Sequence, residues 1–460
     1  AELTNHTNAS LAGTPSALLV RNSDITTSAG TISLTGKTGI SGDVYGTSGV
    51  MLASGATVTG AGNVSVTGAT GATSYGGSKG ITIATGAQVS SSGGNVAVSG
   101  TSSSPLTFSG EGLRLSGKLA AAAGTVTITG DATVTGDPPT VPGQATNPPR
   151  PGDVGTGTGL WLDTGADISA GLGVAINGTI RSSSVPFNAI GVNMSYGTTV
   201  TSAGNIVMTG TVDASSAAFS KGLDLAGGTV SATGAATISL TGSGVPAPAA
   251  QNSYALDIRG TTVRSAGGQI TLAADRVNID SSVNAGAGRV VITPTSTDRA
   301  ITLGEGSEQY ALNLNRQELN NITAGTLVIG DSTHIAGITI VNSRQAIAPT
   351  NVSTLSLISG SNPPRGVNPG ITQTSGITIA NLNVDSSSVN LTHADNQIGT
   401  ISGRSYAGNF AVSSASAMAV GTVAGTAGIN AGSGTTQLSS GGALSQTQAI
   451  VAGTLRATSD

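Results

Sequence analysis

Residues 48–68 read SGVMLASGATVTGAGNVSVTG. Apolar residues stand two apart at Val50/Leu52, singly at Val58, and two apart again at Val64/Val66, with small residues and glycines between. Two-residue spacing is that of a strand with one buried face, so the stretch predicts three short strands, each turning aliphatics to one side.

The same line recurs. Its last strand returns as GTISLTG (30–36), GNVAVSG (94–100), GTVTITG (124–130), GNIVMTG (204–210), AATISLTG (235–242) and GGQITLAA (267–274). Its first pair returns as Leu18/Val20, Ile81/Ile83, Leu113/Leu115, Leu160/Leu162, Val192/Met194, Leu223/Leu225 and Leu256/Ile258. The single residue returns as Ile25, Val89, Leu119, Ile168, Val200, Val230 and Val263. The first inward residues advance by 32, 31, 32, 47, 32, 31 and 33. A unit of this size has too little core to fold alone and must stack on its neighbours. The expected fold is all-β, a right-handed parallel β-helix with three short strands per coil and no significant helix. Eight regular coils through residue 274 would rise by about 40 Å at one strand spacing each.

The long step contains DPPTVPGQATNPPRPGDVGTGTG (137–159), too rich in Pro and Gly to pair as a central strand. A loop over 137–158 is expected. Trp161 lies between the inward Leu160 and Leu162, so it should face outward, either exposed beside that loop or covered by it. Pro148, Pro149, Arg150 and Trp161 form a candidate contact site. Two further columns emerge when the coils are aligned. Thr35, Thr67, Ser99, Thr129, Asn177, Thr209 and Thr241 place a small polar group at what the pattern reads as the strand-end corner. Tyr45, Tyr75, Phe108, Phe187, Phe219 and Tyr254, with Tyr310 in a similar frame, fall just before the first strand and read as stacked packing. Beyond residue 274 the period fades. Residues 275–460 are expected to continue as a less regular β-helix of leaner coils, broken by a second Pro-rich loop, 361–370.

Composition narrows the function. Only 9% of residues are charged, net charge is −4, and there is no cysteine. Nucleic-acid binding has no basic footprint to rest on, and disulfide or thiolate metal sites are excluded. No run of about 18 apolar residues could form a membrane-spanning helix. A cysteine-free chain also suits export through the periplasm unfolded.

For chemistry, the outward positions of the first strand read Leu19, Met51, Thr82, Arg114, Trp161, Asn193, Asp224 and Asp257. Asp224 and Asp257 should therefore stack on adjacent coils, about 5 Å apart. They could hold a cation or share a proton, or be neutralised by Lys221 and Arg259. His6, His334 and His393 show no metal-ligand spacing, so no metal or cofactor is expected.

The coil phrase at 48–68, together with TLSLISG (354–360), SGITIANLNVDSSSVNLTHADNQIGTISG (375–403) and AVGTVAGTAGINAGSGTTQLSSGGALSQTQAIVAGTLRATS (419–459), resembles the large exoproteins of bacterial two-partner secretion, of the filamentous haemagglutinin type. The resemblance implies a β-helical fibre at the cell surface, an outer-membrane transporter partner, and adhesion to host cells, surfaces or sister bacteria through a receptor or glycan. The Asn-Pro-Asn type motifs of that family's secretion domain do not occur here, so transporter recognition is expected outside this segment. Two other readings share the fold: a polysaccharide-degrading enzyme using the Asp224/Asp257 face, and the stalk of a contact-dependent toxin-delivery protein.

Overall fold

The computed structural model describes residues 16–38, 47–71, 77–104, 110–134, 156–182, 188–214, 220–244, 253–306, 311–341, 345–360 and 370–460. Pro148, Pro149, Arg150, His6, nearly all of loop 361–370 and every aromatic of the expected column except Tyr254 lie outside them. By contacts the chain forms two units, Ala1–Arg264 and Ser265–Asp460.

The first unit is a parallel β-helix with the coil the repeat predicts. In coil two the strands are Ser48–Leu52, Thr57–Gly60 and Val64–Thr70, and each pairs in parallel with its counterparts in the coils before and after. Along the first sheet the inward residues register as Leu18, Val50, Ile81, Leu113, Leu160, Val192, Leu223 and Leu256. The 47-residue step thus leaves the ladder intact. From coil two onward these inward aliphatics are fully buried. Each contributes about 2 kcal/mol by leaving water, against roughly 1–2 kcal/mol per ordered residue of backbone entropy. One coil cannot balance that alone.

Between the first and second strands the chain reverses in a four-residue turn, closed in coil two by Ala56 N donating to Ala53 O at 3.0 Å. Its third residue, Gly55, sits at φ 76°, and Gly86, Gly165 and Gly197 repeat that left-handed conformation at the matching place in later coils. A turn with positive φ at its third position selects glycine there. Before the third strand, asparagines link coils: Asn63 Oδ1 accepts from Asn95 N at 2.9 Å, and Asn95 Oδ1 from Thr125 N at 2.8 Å.

The third strand departs from expectation. It does not stop at its glycine but runs on, to Val134 in Thr125–Val134 and to Ala214 in Asn205–Ala214. The small polar column of Thr35 to Thr241 is in register, yet it lies mid-strand on the outer surface, not at a corner. Ala132, Val134, Ile180 and Val212, beyond the glycine, bury a small second cluster with Ala189.

The glycines themselves make this crossing possible. Gly68, Gly100, Gly130, Gly178 and Gly210 on the third strands face Gly80, Gly112, Gly159, Gly191 and Gly222 on the first, where any Cβ would strike a backbone carbonyl. Two columns of glycine let main chain pack on main chain. The sequence shows both, as the Gly that closes most of the repeated third-strand phrases and as the second residue of KGITI, EGLRL, TGLWL and KGLDL.

In the second unit the coils have no fixed length. Third-strand partners Ile270, Val290, Leu327, Leu355, Leu382 and Ile401 are 20, 37, 28, 27 and 19 residues apart. Its interior admits polar rungs. Asn383 bridges Ser356 and Ser402, and the fully buried Asn396 receives Ile377 N and bonds to Gln373, Leu391 O and Ser413 O. One helical turn, Arg316–Asn320, interrupts the strands, capped reciprocally by Asn315 and Glu318. The sequence carries its N-x-x-E capping box at Asn315 and Glu318, and at five residues it leaves the expectation of no significant helix standing.

Candidate functional site

Charge is scarce in this chain, and among the described residues most of its ion pairs gather on the outer face of the first sheet. Two columns build that face. One is the predicted outward column through Arg114, Trp161, Asn193, Asp224 and Asp257. The other runs Lys79, Glu111, Thr158, Ile190, Lys221 and Tyr254. Contacts between columns place both on the same side: Arg114 approaches Glu111 to 3.8 Å, and Lys221 approaches Asp224 to 3.0 Å. Simple alternation would not put residues three apart on one face. The intervening glycine, left out of the register on both paired strands, breaks the alternation at the same place in each coil.

The first cluster centres on Arg114. Its guanidinium donates to Asp163 Oδ2 from Nε at 3.0 Å and from a terminal nitrogen at 2.6 Å, and lies 4.6 Å from the centre of the Trp161 ring. Trp161 Nε1 donates to Ser195 Oγ at 2.9 Å. The tryptophan is thus half-buried on the outward face as predicted, held from coil four by the arginine and from coil six by the serine. Burial alone would raise the Asp163 pKa, but bonds from Arg114, Thr164 N and Ser116 outweigh it and hold the carboxyl below its usual range. Glu111, 4% exposed, goes the other way. Desolvation raises its pKa despite Lys79 at 4.0 Å and Arg114, and its Oε2 has no hydrogen-bond donor. Two carboxyls beside one guanidinium are therefore driven apart in acidity.

The second cluster brings the predicted pair together. Asp224 and Asp257 are directly registered, and both are buried. Lys221 Nζ lies 3.0 Å from Asp224 and 2.7 Å from Asp257, while Arg259 reaches Asp224 at 3.0 Å and Asp257 at 2.8 Å. Two cations answer two anions, which removes the need for a metal or shared proton. Although burial opposes it, the attraction of Asp224, Asp257 and Tyr196 raises the Arg259 pKa.

Sequence reasoning placed Arg114, Trp161, Asp224 and Asp257 on this face but missed Lys79, Glu111 and Asp163. The first two were signalled by the residue preceding each first-strand glycine. Asp163 sits in the following turn, where spacing gives no direction. Of the histidines, His334 is buried: Nε2 lies 3.2 Å from Gly337 O and Nδ1 has no partner, and burial lowers its pKa. His393 stands 3.8 Å from Asp395. No group of three metal-ligating side chains occurs among the described residues.

Around the coil, the second sheet floors a groove of about 540 Å³ whose lining includes Thr59, Ser90, Ala120, Ser169 and Thr201, one residue from each successive coil. No helix among the described residues is long and apolar enough to cross a membrane. No family model, curated protein or solved structure matches the chain. Fold and face together define a parallel β-helical repeat protein.

Proposed function

We propose that the chain is a fibre segment of a secreted bacterial surface adhesin, exported by an outer-membrane two-partner secretion transporter and attaching to host cells, surfaces or other bacteria. The observation that carries this reading is how the charge is used. In the first unit ten of the chain's few ionisable residues pair between neighbouring coils, and in-register surfaces of hydroxyl and methyl groups such as the column from Thr59 to Thr201 are offered for contact. The resemblance of its phrases to those of haemagglutinin-type exoproteins and the absence of cysteine support the same assignment. The segment is non-catalytic in this reading and binds neither metal nor cofactor. Its contact surfaces are the groove of the second sheet and the Trp161 region with loop 137–158. A glycan-array and cell-binding comparison of the chain with and without 137–158 tests this: binding lost with the loop places the contact there, and no binding by either form refutes the adhesive role.

One observation favours a second reading. Glu111, with raised pKa, and Asp163, with lowered pKa, have the divided acidities of an acid and base pair in polysaccharide cleavage. Turnover of a polysaccharide that vanished in Glu111→Gln would establish an enzyme. A role as toxin-delivery stalk shares the adhesin's coils and would show as killing of target cells by bacteria that display the chain.

A further inference from the structure

The second cluster contains more than a balanced set of charges. Lys221, Asp224 and Asp257 side chains are 13, 7 and 2% exposed, and both carboxylates converge on the one amine. Arg259 is not shared evenly. One of its terminal nitrogens donates to both oxygens of Asp224, at 3.0 and 3.2 Å, whereas its Nε, 2.8 Å from Asp257 Oδ2, is out of line for a hydrogen bond. Asp224 accepts from both Arg259 and Lys221, and Asp257 Oδ2 lies nearest the lysine amine, at 2.7 Å.

We infer that Lys221 and Asp257 condense into an intramolecular amide that ties coil seven to coil eight. Asp224 takes a proton from the ammonium, and the freed lone pair on Nζ attacks Asp257 Cγ. The Nζ–Cγ bond forms, one Cγ–O bond breaks, and that oxygen leaves as water with two of the three ammonium protons, relayed by Asp224. Nothing is oxidised or reduced, and no co-reactant is consumed. Ammonium and carboxylate become a neutral amide, while Asp224 recovers its charge opposite Arg259, so the site stays neutral throughout.

Three physical factors favour the step. The groups are held in contact by two paired strands, which removes the entropic cost of bringing them together. Exclusion of water opposes hydrolysis. A buried ion pair, expensive to keep desolvated, is replaced by a neutral group. The first cluster is an internal control: Lys79 is 4.0 Å from Glu111 and its ammonium donates to Gly77 O at 3.2 Å, so no bond should form there. The amide is independent of the adhesive reading, because it concerns only how two coils are joined.

Intact mass spectrometry of the full chain tests it. The expected mass is lighter than the sequence by one water, with a branched tryptic peptide joining Lys221 to Asp257 and no cleavage after Lys221. Lys221→Arg and Asp257→Ala should each restore the full mass, and Asp224→Asn should slow bond formation. The branched peptide of the unaltered chain decides the matter even if a variant fails to fold. A full-mass chain after prolonged incubation at neutral pH overturns the proposal, as does a water deficit that persists in Lys221→Arg.

Discussion

Gly112→Ala is the sharpest single perturbation of this fold. Its φ lies outside the left-handed region, so the backbone itself accepts alanine and the effect isolates packing. The added methyl would meet the Asp131 amide nitrogen from its own coil and the Gly159 carbonyl from the next, both main-chain atoms in paired strands that cannot rotate away. Overpacking in a core costs 1–3 kcal/mol, and contact against backbone on two sides puts this case at about 3 kcal/mol. At Gly222 the nearest atoms, Ala255 O, Ser243 N and Gly210 O, would stand at 2.6, 2.6 and 2.8 Å, and the column already carries a methyl at Ala255. Gly222→Ala should cost less. Because a solenoid unfolds locally, the assay is hydrogen exchange resolved by coil. Amides of Glu111–Leu115, Thr125–Val134 and Thr156–Leu162 should exchange about 100-fold faster in Gly112→Ala, with coils one and eight unchanged. Unaltered protection in those strands would refute main-chain contact as the reason for the columns.

Other consequences concern buried polar groups. Glu111 with its raised pKa binds more protons folded than unfolded, so it weakens coil four as pH rises through the range between its unfolded and folded values. Glu111→Gln should flatten that loss in a pH series of thermal melts. Asp163, with lowered pKa, has the opposite sign: its contribution is present above the unfolded pKa and fades as pH falls through the folded one, a decline that Asp163→Asn should remove. His334 is held neutral, so the second unit should lose stability as pH falls below its unfolded pKa of about 6.5. His334→Leu should abolish that slope in exchange measured across the second unit. Asn396→Ala should cost about 3 kcal/mol, since Ile377 N would be left buried without an acceptor, and denaturant melts of the second unit would register it.

The coil was legible because a strand buried on one side announces itself by alternation, and the inward aliphatics of the first unit register as their spacing required. Legibility failed wherever alternation did. A break in alternation at each first-strand glycine brought Lys79 and Glu111 onto a face that a strict two-residue period withholds from them. The third strand outran its glycine, so Thr35 to Thr241 were misplaced at a corner, because glycine reads as a stop where it in fact admits a crossing. In the second unit each coil closes with turns of its own length, and register is held by paired aliphatics such as Leu355 and Leu382 and by polar rungs such as Asn383. No period can be read from that. Asp224 and Asp257 were found because a fixed step multiplied along a column is a coordinate, even for residues thirty-three apart.

The step from Leu113 to Leu160 has a practical meaning. All three sheets pass across it in register, although this coil carries about fifteen residues more than its neighbours between Val134 and Thr156. The scaffold therefore separates what it displays from what it is made of. Foreign peptides spliced between those two residues should leave the ladder on either side undisturbed, which makes the position a natural port for grafting epitopes or affinity tags onto the coil.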